Sequence, residues 1–427
     1  MFKILKNERG VALMLVLGSL LILTTMVVEF AYNAHVGYDL AAAERDRLKS
    51  YYLARSGYNL ARLELKFEKD IRARYANLLK NMKGSGVTAD PLCKQIPLST
   101  GLLKGLAAGQ IPGLGGTATA GTSGEEDSDE DSDAEEKKPP KEAAAEPPKG
   151  DAVEGSEEFL SFDGDFAVEC DTEERKVNLN VFRADPLAGT ASAVPGATVP
   201  VSAYELQKQL LFELMSQKEF QPIFQDKPDE IRKVINAIAD WADRDDRVNE
   251  APGVAGGAED ADYKGDYKVK NGKYASTAEL LLVNGVTDDL FKLLAPQVTV
   301  YGDSKINLCQ ATDEMIKAFV NRFIAATPGM AQISETDDSK WTTIIESVHF
   351  ACSEPSPAPT TVAAALGPTI GAIDTRAIAV QISPPGNRFY RIESTGIVGE
   401  SQAKIAAVLD ASSPNPNLWK TLYFRVE

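Results

Sequence analysis

Eight carboxylates fall from Asp240 to Asp262, and seven of them cluster in two short runs. Asp240, Asp243, Asp245 and Asp246 belong to Asp240-Trp241-Ala242-Asp243-Arg244-Asp245-Asp246. Glu259, Asp260 and Asp262 follow in Gly257-Ala258-Glu259-Asp260-Ala261-Asp262-Tyr263, beyond a Gly-rich loop too polar to pack. Such charges repel one another unless a cation or solvent screens them. Oxygen-only ligands with no His or Cys nearby suit a hard cation such as calcium, not zinc. The alternative is a solvated acidic loop, and residue types leave both readings open. A second acidic tract, Glu125 to Asp133, places Asp127, Asp129, Asp131 and Asp133 in alternation. A calcium loop of the EF-hand kind needs Gly at position 6 and Glu at position 12. Counted from Asp127 those positions hold Ser132 and Lys138, so this tract reads as a solvated insertion.

Four cysteines, Cys93, Cys170, Cys309 and Cys352, are candidates for two disulfides in a translocated chain. Four cysteines allow three pairings, and the sequence does not choose among them. The histidines are His35 and His349, and neither a zinc-protease HExxH nor a Gly-x-Ser-x-Gly elbow is present. Lys273 follows Gly272, but Tyr274 comes next and no Gly precedes at phosphate-loop spacing, so no enzyme is expected. The formal net charge is -17, and residues 1–10 carry three basic side chains and one acidic, so their removal leaves -19. That surface repels nucleic acid and accommodates divalent cations.

The elements that must hold these residues begin with a helix. A short basic stretch (Lys3, Lys6, Arg9) precedes Gly10, and Val11 to Val28 has no ionisable side chain. As a helix that run covers about 27 Å, close to the apolar thickness of a bilayer. Helical spacing then continues through Leu53, Leu60, Leu63, Phe67, Ile71 and Leu78, so residues 11 to roughly 80 read as one rod of about 105 Å. The tract 115–157, with little apolar content and Pro139, Pro140, Pro147 and Pro148, reads as a disordered linker. Order resumes at Phe159, with strand-like Phe162, Phe166 and Val168 around Asp163-Gly164.

Lys176-Val177-Asn178-Leu179 is nearly repeated by Lys305-Ile306-Asn307-Leu308, each leading into a helical stretch. Between them, Tyr204–Phe220 and Pro228–Ala242 carry helical apolar spacing. Ser276-Thr277-Ala278-Glu279 is a capping box, and the turn Asn284-Gly285-Val286 leads to a second helix start at Thr287-Asp288-Asp289. That pair looks like a helix-hairpin-helix, whose DNA-clamping use Asp288 and Asp289 oppose. Residues 340–375 mix helix with Pro-rich loop. The last fifty alternate as about four antiparallel strands: Ile378, Val380, Ile382; Tyr390, Ile392; Ile405, Ala407, Leu409; Leu422, Phe424, Val426.

A leader ending in Gly10, then an apolar helix running into an amphipathic one, resembles type IV pilin-like proteins, cut by prepilin peptidase between Gly10 and Val11. The fifth mature position, usually Glu in that class, is Leu15. That departure resembles the K-type minor pseudopilins of type II secretion. The Lys-Val/Ile-Asn-Leu segments and the acidic run around Trp241 with Gly257-Ala258-Glu259-Asp260 are similar to markers of the same family. The resemblance covers the leader and helix, these markers and the C-terminal strands, and leaves out about 84–157.

It implies an α+β, type IV pilin-like fold, with a long N-terminal helix packed on an antiparallel sheet. A large inserted α-helical domain with helix-hairpin-helix or SAM-like units is implied as well. The segments expected are a leader (1–10), a transmembrane and amphipathic helix (11–83), a Gly-rich and acidic linker (84–157), first strands (158–177), the helical domain (178–345) and a C-terminal sheet (346–427). It further implies calcium at the seven carboxylates, a methylated mature N-terminus, and a single inner-membrane pass with the globular part in the periplasm. The implied partners are prepilin peptidase, other pseudopilus subunits and, at the pseudopilus tip, I- and J-type minor pseudopilins; no nucleic acid is expected. A minor pilin of a type IV pilus is the neighbouring alternative, and a membrane-anchored DNA-binding protein a more distant one.

Overall fold

The computed structural model describes residues 8–81, 91–95, 98–107, 162–183, 202–248, 257–263, 267–327, 329–353, 357–371, 373–384 and 388–427. Helix α1 runs unbroken over Glu8–Asn81. No Pro interrupts it, and its first half is one helix long and apolar enough to cross a membrane, with its large side chains from Leu13 to Val28 exposed. The expected linker at 84–157 is partly folded. Helix α2 (Leu92–Gln95), strand β1 (Leu98–Ser99) and helix α3 (Thr100–Ala107) occupy its start, because Cys93, Leu98 and Thr100 find buried positions there. The acidic tract at 125–133 lies outside the described residues.

The longer strands are β2 (Asp165–Thr172), β5 (Phe389–Val398), β6 (Ser401–Asp410) and β7 (Lys420–Val426), and the five-stranded sheet has the order β1-β2-β5-β6-β7. Two compact units divide the chain: Met1–Gly57, Leu98–Val168 and Ser394–Lys404 in one, Tyr58–Pro97, Glu169–Glu393 and Ile405–Glu427 in the other. In the first, Ser50, Ala54 and Gly57 line one face of α1 and come against Ser394 and Gly396 of β5. A Cβ on Gly396 would collide with the Ser50 carbonyl, and one on Gly57 would lie 2.8 Å from Val168 and 2.9 Å from Phe166. Small side chains therefore set how closely this helix approaches the sheet.

In the second unit the buried face of α1 continues through Tyr58, Ala61 and Leu65. The Tyr58 ring stands edge-on to Phe424 at 5.6 Å, and its hydroxyl lies 3.2 Å from Thr421 Oγ1. Strands β6 and β7 pair antiparallel from Ile405 with Val426 to Asp410 with Lys420.

Eight further helices belong to this unit among the described residues. The helices are α4 (Ala203–Met215), α5 (Gln221–Phe224), α6 (Pro228–Asp240), α7 (Asp288–Leu294), α8 (Asp313–Ala326), α9 (Asp338–Cys352), α10 (Pro359–Ile370) and α11 (Thr375–Gln381). Their apolar faces share one core containing Tyr204, Leu210, Ile238, Phe319 and Trp341. Two-residue strands β3 (Val177–Asn178) and β4 (Val298–Thr299) pair in parallel.

The near-repeat has a structural meaning. Asn178 Oδ1 accepts from Asn180 N–H at 2.9 Å, and Asn307 Oδ1 accepts from Cys309 N–H at 3.2 Å. Each Asn side chain therefore folds the same tight turn. Val177 and Ile306 both make parallel bridges, to Val298 and Ile382, and Leu179 and Leu308 are both fully buried.

Three expectations are corrected. Residues 378–382 are not a strand: Asp374 caps α11 by accepting from Arg376 N–H and Ala377 N–H. Ile378 and Ile382, four apart, are buried while Val380 is exposed, so the apolar period is that of a helix, and three strands close the chain. The helical region does not end at 345, since α9, α10 and α11 carry it to Gln381 and the C-terminal sheet starts at Phe389. The Ser276 capping box opens a 3-10 turn, Thr277–Leu282, and not an α-helix. Glu279 reaches Ala275 N–H at 2.9 Å and also holds Lys270, so its carboxylate closes a loop as well as a cap.

Candidate metal centre

Helix α6 runs to Asp240 and the chain keeps its helical sense for a further turn, with Trp241 N–H donating to Ala237 O and Asp243 N–H to Ala239 O. The face Ile231, Val234, Ile235 and Ile238 anchors the helix, so Asp240 and Asp243 leave it at fixed positions on the edge of the core. The chain then returns antiparallel. Arg247 bridges Ala258, Val248 N–H donates to Gly257 O at 3.0 Å, and Glu259 opens a 3-10 turn beside the end of α6. Aromatic side chains support this loop from behind. The Trp241 ring lies 6.1 Å from that of Tyr263 and 6.3 Å from that of Tyr267, and those two are 5.9 Å apart. Trp241 Nε1–H donates to Glu279 Oε2 at 3.1 Å, and the Tyr263 hydroxyl accepts from Asn284 N–H at 3.1 Å. Three rings thus close against one another beside the described residues on either side of the Gly-rich stretch, which itself lies outside the described residues.

Of the seven predicted ligands the structure brings three together. Asp240, Asp243 and Glu259 are buried, and one oxygen from each lies within 4.8 Å of the others. Both Glu259 carboxylate oxygens are buried with no hydrogen-bond donor among the described residues. Burial, then the charges of Asp243, Asp240, Asp245 and Asp246, push the Glu259 carboxyl up to about 8. Lys208 feels Asp240 and Asp243, but its own burial pulls its pKa down.

The other four expected ligands stand apart. Asp245 and Asp246 are exposed, with Asp245 Oδ1 accepting from Arg247 N–H and Asp246 Oδ1 from Asn271 Nδ2. Asp260 turns away to Lys268 at 3.1 Å and to Val269 N–H. Asp262 lies on the 3-10 turn, and its side chain is outside the described residues.

Three converging carboxylate oxygens fit a hard cation. Oxygens around one calcium at 2.3–2.6 Å lie within about 5 Å of each other, and the backbone carbonyls and exposed carboxylates of this loop are further oxygen donors. The ion would replace repulsion among the three with attraction.

The remaining site expectations are placed as follows. Gly10 and Val11 lie in α1, with side chains outside the described residues. Cys309 and Cys352 form a disulfide, which ties the turn after Leu308 to the end of α9. Cys93 and Cys170 are free, buried thiols that meet each other, and that contact, more than burial, pushes the Cys93 thiol up. In the expected hairpin, Asp288 and Asp289 fill the first turn of α7, and Thr287 Oγ1 accepts from Leu290 N–H at 3.3 Å.

One charged group escaped the sequence reading. Glu173 is fully buried and bonds Arg391 Nε at 2.5 Å, Lys176 Nζ at 3.4 Å and Thr299 Oγ1 at 2.5 Å. Burial raises its pKa, but Lys176, Arg391 and Thr299 together hold it below the usual value. Its signal was the pair Glu173-Glu174 set immediately after strand residues.

Residues 176–303 match the family described as type II secretion system protein K, first domain. No curated protein matches the chain. Among solved structures, the GspK-GspI-GspJ complex from the enterotoxigenic Escherichia coli type 2 secretion system includes a chain 15% identical to this one. The likeness covers 62% of this chain and 80% of that one, at a TM-score of 0.41. The matched segment spans β3, β4 and the whole acidic loop, and through it this chain is similar to the K-type minor pseudopilins of type II secretion.

Proposed function

We propose that this protein is a minor pseudopilin at the tip of a type II secretion pseudopilus, where it supports export of folded proteins across the outer membrane. The observation that carries this reading is the protein K match over 176–303, in a chain whose α1 starts as an exposed apolar helix and ends packed on a sheet. Val11–Val28 sits in the inner membrane with the basic leader on the cytoplasmic side and the globular part in the periplasm. Prepilin peptidase cuts between Gly10 and Val11, and the new N-terminus is methylated. The working partners are I- and J-type minor pseudopilins and, below them, other pseudopilus subunits. The chain does no catalysis. Asp240, Asp243 and Glu259 hold calcium, which supplies the positive charge that lets the fold carry three buried carboxylates side by side. DNA is not a partner, since Asp288 and Asp289 meet any phosphate approaching α7.

The test is complementation. The full chain should restore secretion to a strain of its own source lacking its protein K, and the Gly10→Asp variant, which blocks leader cleavage, should not. Normal secretion in the deletion strain without complementation would overturn the proposal.

A further inference from the structure

A cavity of about 530 Å³ opens between α4, α6 and α8. Arg322 of α8 forms part of its wall and is 1% exposed. The guanidinium lies 4.7 Å from the ring centres of both Phe319 and Phe323, and Nη1 donates to Leu206 O at 3.3 Å. Nε and Nη2, which form the straight edge of the guanidinium, are buried and have no hydrogen-bond partner among the described residues. Burial alone pulls the Arg322 pKa down to about 9, so it is charged at neutral pH. A buried cation with an unfilled fork is costly to keep, and replacement by an apolar side chain ordinarily stabilises a fold. The rest of the lining is suited to an anion. Lys208 and Arg232 line the same cavity. Of the two acids there, Glu205 and Glu213, burial pushes Glu213 up to about 7, so it is about half neutral at physiological pH.

We propose that this cavity is a carboxylate-binding site in which the Nε/Nη2 edge of Arg322 takes the two oxygens of the ligand. A guanidinium edge and a carboxylate are both planar and match as two parallel N–H···O bonds. The edge is closed off from bulk water, so the ligand reaches it by displacing the side chains that cover it. A single carboxylate balances the single buried charge, whereas a phosphate dianion would leave excess charge beside Glu205. The volume lies in the range of small-molecule pockets. The carboxylate belongs to a free small acid or to the end of a peptide, and the two sources share this recognition chemistry.

Titration calorimetry on the full-length protein in neutral detergent, at constant ionic strength set with chloride, tests the site. The probes are acetate, succinate, N-acetyl-leucine and N-acetyl-leucinamide. Saturable binding of at least one acid, with the amide inert, is expected. N-acetyl-leucine binding more tightly than acetate or succinate assigns the site to peptide ends, and the reverse order to small acids. Arg322→Lys keeps the charge but loses the fork, and should weaken binding at least about tenfold. Ala326→Trp, at an exposed position on the cavity rim, should block binding and leaves Arg322 in place if the first variant fails to fold. The proposal is overturned if no acid saturates below about 10 mM, a limit near 3 kcal/mol of affinity. Binding equally well to Arg322→Met would overturn it too, because Arg322 would then be a packing residue only.

Discussion

Glu259 gives the calcium reading its sharpest consequence. Its folded pKa of about 8 lies above the ordinary 4.5. Between those values the folded state holds a proton that the unfolded chain releases, so stability falls as pH rises from 4.5 to about 8 and then levels off. Each pKa unit is worth about 1.4 kcal/mol. Discounted for solvent screening from the side of exposed Asp245 and Asp246, the ion-free loss is on the order of 2–3 kcal/mol. On the calcium reading, the ion binds the ionised form and removes that loss. At a hundredfold excess over its dissociation constant it adds about 2.7 kcal/mol to the folded state. Melting of the full-length protein, followed by circular dichroism in millimolar calcium and in chelator, should differ little at pH 5. The gap should widen to roughly 3–5 °C at pH 8. Magnesium should substitute poorly, because it demands a tighter octahedron. Glu259→Gln should raise the melting temperature in chelator at pH 8, flatten its pH dependence and abolish the calcium increment. Identical wild-type curves in calcium and chelator at pH 8, with no ion found by elemental analysis, would refute the reasoning.

Two further outcomes follow from other parts of the molecule. Glu173→Ala strands Lys176, Arg391 and Thr299 in a buried site and should cost about 3–5 kcal/mol in chemical denaturation. Because Glu173 is held below its usual pKa, its contribution is complete above about pH 4.5 and is lost as pH falls through the depressed folded value; a wild-type acid limb that persists unchanged in the variant would contradict this. Leu15→Glu introduces a membrane carboxylate whose cationic partner, the N-terminal amine of a neighbour, is absent for a tip subunit. Leader cleavage, read by gel shift, should persist while secretion is unchanged or falls; improved secretion with self-polymerisation would contradict the tip assignment.

The long helix was legible because its signals are local: an apolar run, no Pro, and apolar spacing that continues past Tyr38. The acidic centre was legible as a neighbourhood but not as a ligand set. Asp240 and Asp243 share a chain turn, whereas the choice of Glu259 over Asp260 depends on which way a 3-10 turn faces, and no spacing rule encodes that. The aromatic support was hidden for a related reason. Tyr263 and Tyr267 look like isolated residues in a polar loop until Trp241 is placed beside them. Ile378, Val380 and Ile382 satisfy a strand's period over three positions, too short to separate from a helix, and Asp374 as a cap decided the outcome. Arg322 sits within the apolar sequence Phe319-Val320-Asn321-Arg322-Phe323-Ile324, where its burial is a property of the assembled helices and of nothing local.

The central claim is that this chain works as the K-type member of a minor pseudopilin complex. Co-expression of the tagged full-length protein with the I- and J-type minor pseudopilins of its own source, followed by affinity and size-exclusion chromatography in neutral detergent, tests it most directly. The account predicts one stable species containing one copy of each of the three subunits. Elution of this protein alone, or as a homopolymer while the I- and J-type subunits pair without it, would contradict the account.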